Sequence, residues 1–275
     1  MQRWNGWGDD AVQVDLPVQG RNLLRELIGE GNAKADYPLE KFINRIPPSR
    51  LPHHPLISTD PKERLDHSHG QSLPDWIGMR KGIIQRFPDG VAFPFTPENV
   101  LELLEFSKKH NIIIIPFGGG TSVVGHLQVP EDRRPVLSLS LKRLNRLIDL
   151  DPISLLATFE SGVMGRDLEA QLMARGFTLG HFPQSFEFSS LGGWVATRSS
   201  GQQSAHYGRI EQLFTGGELA APKGVLELLP FPASSAGPDL RHIILGSEGR
   251  LGVLTKVTIR ISHIPEKDDV YGVFF

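Results

Sequence analysis

The spacing of apolar residues divides the chain into an irregular first third and a patterned remainder. Between residues 1 and 85 the pattern supports one short helix, Asn22–Gly29, and the proline-rich stretch Arg45–Pro55 reads as an extended, docked segment. Gly90–Phe95 then reads as a short apolar strand. Thr96-Pro97-Glu98 is a helix start, with a capping hydroxyl, a proline suited to the first helical position, and an acid that complements the dipole. Val100, Leu103, Leu104 and Ser107 recur on one face of that helix, which runs to about His110. Ile112–Ile115 is a run of β-branched residues with the length and branching of a fully buried strand. Together these predict a β-α-β unit with a parallel, right-handed crossover.

Beyond Val136 the elements shorten. Strands are predicted at Val136–Leu139, Leu147–Asp151, Leu155–Glu160, Gly224–Leu229, His242–Leu245 and Gly252–Ile261. Helices are predicted at Gly165–Arg175, closed by Gly176, and at Leu191–Ser199. Phe214-Thr215-Gly216-Gly217-Glu218-Leu219 holds two glycines where an apolar strand is expected, so a broken or edge strand is predicted. The result is an α+β fold: a small β-α-β lobe at about 86–146, a larger mixed or antiparallel lobe at about 147–265, and an N-terminal extension over 1–85.

Composition narrows the function. A formal net charge of −2 excludes a nucleic-acid binder working through bulk charge. No apolar run approaches a membrane span, so an integral membrane protein is not expected. The N-terminus shows no signal core, and the expected location is the cytoplasm or an organelle lumen. There are no cysteines, which excludes disulfides, thiolate metal sites and cysteinyl cofactor links within the chain. His53-His54 and His67-x-His69 are the closest histidine pairs, but no third ligand stands at a suitable spacing, so no metal site is expected.

Three glycine-bearing blocks carry candidate chemistry. The first is Pro116-Phe117-Gly118-Gly119-Gly120-Thr121-Ser122. Three glycines leave backbone N–H groups bare, and such a nest binds phosphate oxygens, with two hydroxyls to add donors. It is neither a Walker loop nor a Rossmann fingerprint. The second is Pro183–Gly201, where Ser189 and Ser190 precede a helix opening with Gly192-Gly193; small residues at a helix N-terminus make an anion site. The third, Gly246–Val253, places two glycines around a sharp turn into a strand. Taken singly, each is also explained by a tight turn or a closely packed helix without a ligand.

In order, the three blocks resemble the FAD-binding (PCMH-type) domain of the vanillyl-alcohol-oxidase flavoprotein superfamily. The match is closer still to its alkyldihydroxyacetonephosphate synthase-like branch. Arg3-Trp4-Asn5-Gly6-Trp7-Gly8, Arg64-Leu65-Asp66-His67-Ser68-His69-Gly70 and Ile210-Glu211 follow that branch as well, so the resemblance spans nearly the whole chain. It implies a two-lobed fold with FAD between the lobes. Pro116, Gly118, Gly119, Gly120, Thr121 and Ser122 would cradle the pyrophosphate. Pro183, Ser185, Ser189, Gly192, Gly193, Thr197, Ser200 and Gly201 would form a second cofactor-lining segment. Glu248, Gly249 and Leu251 would close over the adenosine end. Thr121 stands where some relatives carry a flavin-linking histidine, which implies non-covalent FAD. Gln184 replaces a usual Asp and Arg250 a usual Thr.

The family continues into a substrate-binding cap, and residues 266–275, ending Tyr271-Gly272-Val273-Phe274-Phe275, resemble its first strand. The chain is therefore expected to be a fragment or truncated relative, inactive alone, with its catalytic residues unknown. Three readings stay open for the full-length protein. One is an FAD-linked oxidoreductase acting on a small-molecule or lipid substrate. The second is a non-redox transferase that exchanges an acyl group for a fatty alcohol on dihydroxyacetone phosphate. The third is a catalytically inactive FAD-binding fragment. A homo-oligomer is compatible with each.

Overall fold

The computed structural model describes residues 3–9, 11, 12, 14–31 and 35–274; Met1, Gln2, Asp10, Gln13 and residues 32–34 of the extension, and Phe275, lie outside them. Among the described residues eleven strands follow in chain order: β1 Ile57–Ser58, β2 Gly90–Ala92, β3 Ile113–Phe117, β4 Val136–Ser140, β5 Leu147–Asp151, β6 Leu156–Glu160, β7 Phe177–Thr178, β8 Phe214–Ala221, β9 Gly224–Leu228, β10 Val253–Arg260 and β11 Ser262–His263. They form a four-stranded sheet ordered β1-β2-β4-β3, a five-stranded sheet ordered β5-β6-β10-β8-β9, and the pair β11-β7.

In the first sheet the helix Pro97–Lys109 links β2 to β3. The Thr96 side chain accepts from Asn99 N at its start, Pro97 takes the first position, and Val100, Leu103, Leu104 and Ser107 are its buried face. The linked strands do not pair with each other: β4 lies between β2 and β3, parallel to both. This makes β3 an edge. Ile113, Ile114 and Ile115 are accordingly half-buried, not fully buried as their composition suggests. β1 joins the other edge, antiparallel to β2.

The second sheet is antiparallel throughout. Its core holds Trp194, Phe159, Leu168, Leu172 and Val257, whereas Ala220 of β8 and Val253 of β10 belong to the core of the first sheet. The two sheets thus meet at the ends of β8 and β10, where the cavity described below lies.

Three sequence expectations fail here for physical reasons. β8 is neither broken nor an edge, since it runs between β10 and β9. Its glycines serve close packing: a Cβ on Gly216 would strike the Leu228 carbonyl oxygen, and one on Gly217, at φ +150°, that of Lys256. Second, the predicted strand at His242–Leu245 is the helical turn Arg241–Ile244. Asp239 Oδ1 accepts from Arg241 N at 3.0 Å and the Leu240 carbonyl from Ile244 N at 3.3 Å, and four apolar-rich residues are too few for periodicity to separate strand from helix. Third, residues 271–274 form no strand; they are exposed, and no described strand pairs with them.

The extension docks on the rest of the chain through the pairing of β1 with β2, an aromatic contact and ion pairs. Within it Trp4 meets the buried Phe42 at 5.5 Å, and outward Trp7 meets Phe188 at 5.6 Å. Arg50 grips Asp89 through two side-chain hydrogen bonds of 2.8 and 2.7 Å. The predicted helix near Asn22 forms as Val18–Ile28 and buries none of its residues. Among the described residues, no helix is long and apolar enough to cross a membrane.

Candidate functional site: a cavity where three glycine blocks meet

The first block leaves the carboxyl end of β3, the end at which parallel α/β sheets tend to take ligands. Its glycines allow close approach: a Cβ on Gly118 would strike Ser190 Oγ, and one on Gly119 the Phe188 carbonyl oxygen. Gly120 turns the chain at φ +70°. None of the amides from Gly118 to Val123 donates a hydrogen bond to another described residue. A row of unspent N–H donors beside a cavity suits phosphate oxygens, and on this ground the residues present fit the pyrophosphate of a dinucleotide.

The helix Leu191–Thr197 behaves differently from its sequence expectation. Its first amides are already spent: Leu191 N donates to the Val163 carbonyl, Gly192 N to that of Ser161 at 2.7 Å, and Gly193 N to Ser190 Oγ at 3.3 Å. Gly192 also admits Ser161, whose Cβ lies 2.8 Å from where a Cβ on Gly192 would sit. The helix start is therefore a packed junction and not an anion site. The helix instead contributes a wall. Trp194, buried, donates through Nε1 to Ser189 Oγ at 2.7 Å, and Ser189 donates to the Ser185 carbonyl at 2.8 Å. Arg198, left-handed at φ +57°, ends the helix and lies 3.5 Å from Glu211.

The third block is held against this helix. Gly246 N donates to the Val195 carbonyl and Glu248 N to that of Ala196. Gly246, Glu248 and Gly249 all have positive φ, and Gly249 packs on the Pro116 ring.

The three blocks enclose a cavity of about 330 Å³. Of the residues expected to touch a cofactor, Pro116, Gly118, Gly119, Gly120, Thr121, Ser122, Ser185, Ser189, Gly192, Gly193, Thr197, Glu248 and Gly249 line it. Pro183, Ser200, Gly201 and Leu251 do not. Gly201 packs against the Phe182 backbone, and Leu251 is exposed. Gln184 and Arg250, the two departures from the family pattern, are exposed and also lie off the cavity.

Sequence reasoning missed part of the lining. Leu219 and Leu254 face each other across β8 and β10, a pairing set by register and invisible to local pattern. His126 is four residues past Ser122, near enough to have been noticed. Its Nδ1 lies 3.2 Å from Ser122 Oγ and 3.8 Å from Glu248 Oε2, which links the first block to the third across the cavity mouth.

Two buried histidines flank the site. Burial pushes both His69 and His181 down to about 4, so each is neutral near pH 7. His69 adjoins a second space of about 340 Å³ behind Gly118–Gly120. Two of the histidines in the paired motifs, His67 and His54, have protein partners. His67 Nδ1 is 2.8 Å from the Glu63 carbonyl, and His54 Nε2 is 3.3 Å from Glu102.

Such an arrangement accommodates an anionic ligand beside an apolar wall, and the comparisons give the class of protein to which it belongs. Residues 88–229 match the family described as the FAD binding domain, and the chain belongs to that family, with FAD as its cofactor. An alkyldihydroxyacetonephosphate synthase of Caenorhabditis elegans is 43% identical over 271 residues, 97% of this chain and 44% of its own length. One from Dictyostelium discoideum is 34% identical over 99% of this chain and 51% of its own. An FAD-linked oxidoreductase of Escherichia coli (strain K12), YgcU, described as uncharacterized, is 39% identical over 67% of this chain and 38% of its own. A solved alkyldihydroxyacetonephosphate synthase structure superposes with a TM-score of 0.85 at 32% identity, covering 97% of this chain and 55% of the other. The chain thus spans about half the length of the curated relatives it matches.

Proposed function

We propose that the cavity holds FAD non-covalently, with the pyrophosphate against the amides of Gly118–Ser122, and that this chain is the FAD-binding portion of an FAD-linked oxidoreductase. The observation that carries the placement is the row of undonated amides from Gly118 to Val123 beside the cavity. We take residues 86–265 as the cofactor domain and 1–85 as an extension that braces it. Bound FAD supplies a hydride acceptor for a small-molecule or lipid substrate. The chain's own residues bind and orient: Trp194, Leu219 and Leu254 give the apolar wall, and the hydroxyls and amides give the polar contacts. Neither Cys nor His stands at Thr121, which supports a non-covalent link.

A second reading, a synthase that exchanges acyl for alkyl on dihydroxyacetone phosphate, is favoured by one observation. Relatives named as such synthases align over 97–99% of the chain, whereas the oxidoreductase aligns over 67%. A homo-oligomer is compatible with both readings.

Titration of the purified chain with FAD, followed by acid precipitation, tests the core of the proposal. The expected result is one FAD per chain, recovered wholly in the acid supernatant, with no steady turnover by the chain alone. A folded chain that takes no FAD overturns the placement, and flavin retained in the pellet overturns non-covalency. On the full-length protein, reduction of the flavin by a hydroxy acid supports the oxidoreductase. Exchange of labelled fatty alcohol into acyl-dihydroxyacetone phosphate supports the synthase.

A further inference from the structure

Hydroxyl groups can donate or accept, and which they do is settled by where their protons are already committed. On the cavity wall Thr197 donates to the Gly193 carbonyl at 2.8 Å and Ser189 to that of Ser185 at 2.8 Å. Toward a ligand both retain only lone pairs. Ser199 differs. Its amide donates to the Trp194 carbonyl and its carbonyl accepts from Ile210 N, which fixes its backbone, and its Oγ lies 2.7 Å from Nε2 of His181.

His181 is fully buried, sits behind this wall with its ring 5.1 Å from that of Trp194, and its Nδ1 has no hydrogen-bond partner among the described residues. Two neutral tautomers are open to it. If Nδ1 carries the proton, a buried N–H is left without an acceptor, and orphaned buried N–H groups are rarer in native proteins than under-used acceptors. If Nε2 carries it, Nδ1 is a bare lone pair and Nε2–H donates to Ser199. The second arrangement leaves the Ser199 proton unspent on the cavity side.

We infer that His181 is a positioning residue that donates to Ser199 and thereby makes the Ser199 hydroxyl a hydrogen-bond donor into the cofactor cavity. The ligand then presents a lone pair at that point, as the ring nitrogens and carbonyl oxygens of FAD do. Burial keeps the imidazole neutral, so the direction of the hydrogen bond is constant across the physiological range. This rests on the FAD reading of the cavity, whereas the direction of the His181–Ser199 hydrogen bond does not.

Two measurements on the full chain test it. In the ligand-free protein, two-bond proton–nitrogen NMR correlations of His181 should show the proton on Nε2; a proton on Nδ1 overturns the inference. FAD titration then reads the effect on the ligand. Ser199→Ala should weaken binding by roughly three- to tenfold, the worth of one net hydrogen bond. His181→Gln places an amide donor where Nε2 stands and should retain wild-type affinity. His181→Asn reaches only the Nδ1 position and should match Ser199→Ala. In a Ser199→Ala background neither histidine variant should change affinity further. Wild-type affinity in Ser199→Ala, or an undiminished Asn effect in that background, overturns the inference. Should the histidine variants fail to fold, the tautomer and Ser199→Ala still decide. A wild-type chain that takes no FAD overturns the cofactor reading and with it the ligand half of the inference, and the NMR result still decides the hydrogen bond.

Discussion

Gly118-Gly119 and Gly216-Gly217 are both glycine pairs lying where an apolar strand is in progress or has just ended. In each, a Cβ would strike a backbone or side-chain oxygen of a neighbouring segment. Around the first pair, however, the amides have no described acceptor and face a cavity. Around the second, the chain is strand β8, held between β9 and β10. A glycine pair therefore marks close approach in both places. The fate of the neighbouring amides separates a ligand cradle from a strand under tight packing.

The sharpest way to break that comparison is to add one methyl group at each place. Gly119→Ala and Gly217→Ala should each destabilise the fold by about 3 kcal/mol or more, as overpacking against backbone does. Gly217→Ala carries an additional strain from its φ of +150°. Only Gly119→Ala should also weaken FAD binding by the folded fraction, by roughly tenfold or more, because it displaces the amide row. Urea unfolding with and without FAD separates the two effects. Equal FAD affinity in both variants would remove the distinction.

Protons provide a smaller effect on one side of the comparison. The glycine loop and the helix Leu191–Thr197 are backed by His69 and His181, both lowered from 6.5 to about 4 by burial. A neutral buried histidine takes up its proton more readily when unfolded, so stability is complete above pH 6.5 and falls as the pH drops from 6.5 towards 4. The limit is on the order of 3 kcal/mol for each histidine. Urea midpoints between pH 7.5 and 4 should fall accordingly. Hydrogen exchange should show amides of 189–195 losing protection before those of β8 and β10. Simultaneous loss would mean that acid acts on the fold as one unit and not through these two groups.

The smallest expected effect is at Leu251. Its family position implies contact with the adenosine end, but its side chain is 45% exposed and off the cavity. Leu251→Ala should leave FAD affinity within twofold and shift stability by no more than about 0.5 kcal/mol. A tenfold loss of affinity would bring this residue back into the cofactor site and enlarge the third block.

Much of this was open to local reading. The apolar face of the helix Pro97–Lys109 and its capped start needed only the 3.6-residue period and the chemistry of Thr96-Pro97. The three blocks that line the cavity needed only the glycine spacing and its resemblance to a family, because the absence of a Cβ, and the close approach it permits, is a property of glycine itself. Tertiary structure decided the rest. β4 slides between two strands that the sequence links directly, and this leaves the isoleucine run on an edge. The turn at Arg241–Ile244 is set by Asp239 and Leu240, which periodicity does not weigh. The amides at the start of Leu191–Thr197 are spent on Ser161 and Val163, segments about 30 residues away in the chain, whereas those of Gly118–Val123 are not. The physical reason is common to all of these. Hydrophobic period and backbone freedom belong to a residue and its near neighbours, but the acceptor that an amide finds, and the atom that a Cβ would meet, belong to whichever distant segment the fold brings against it.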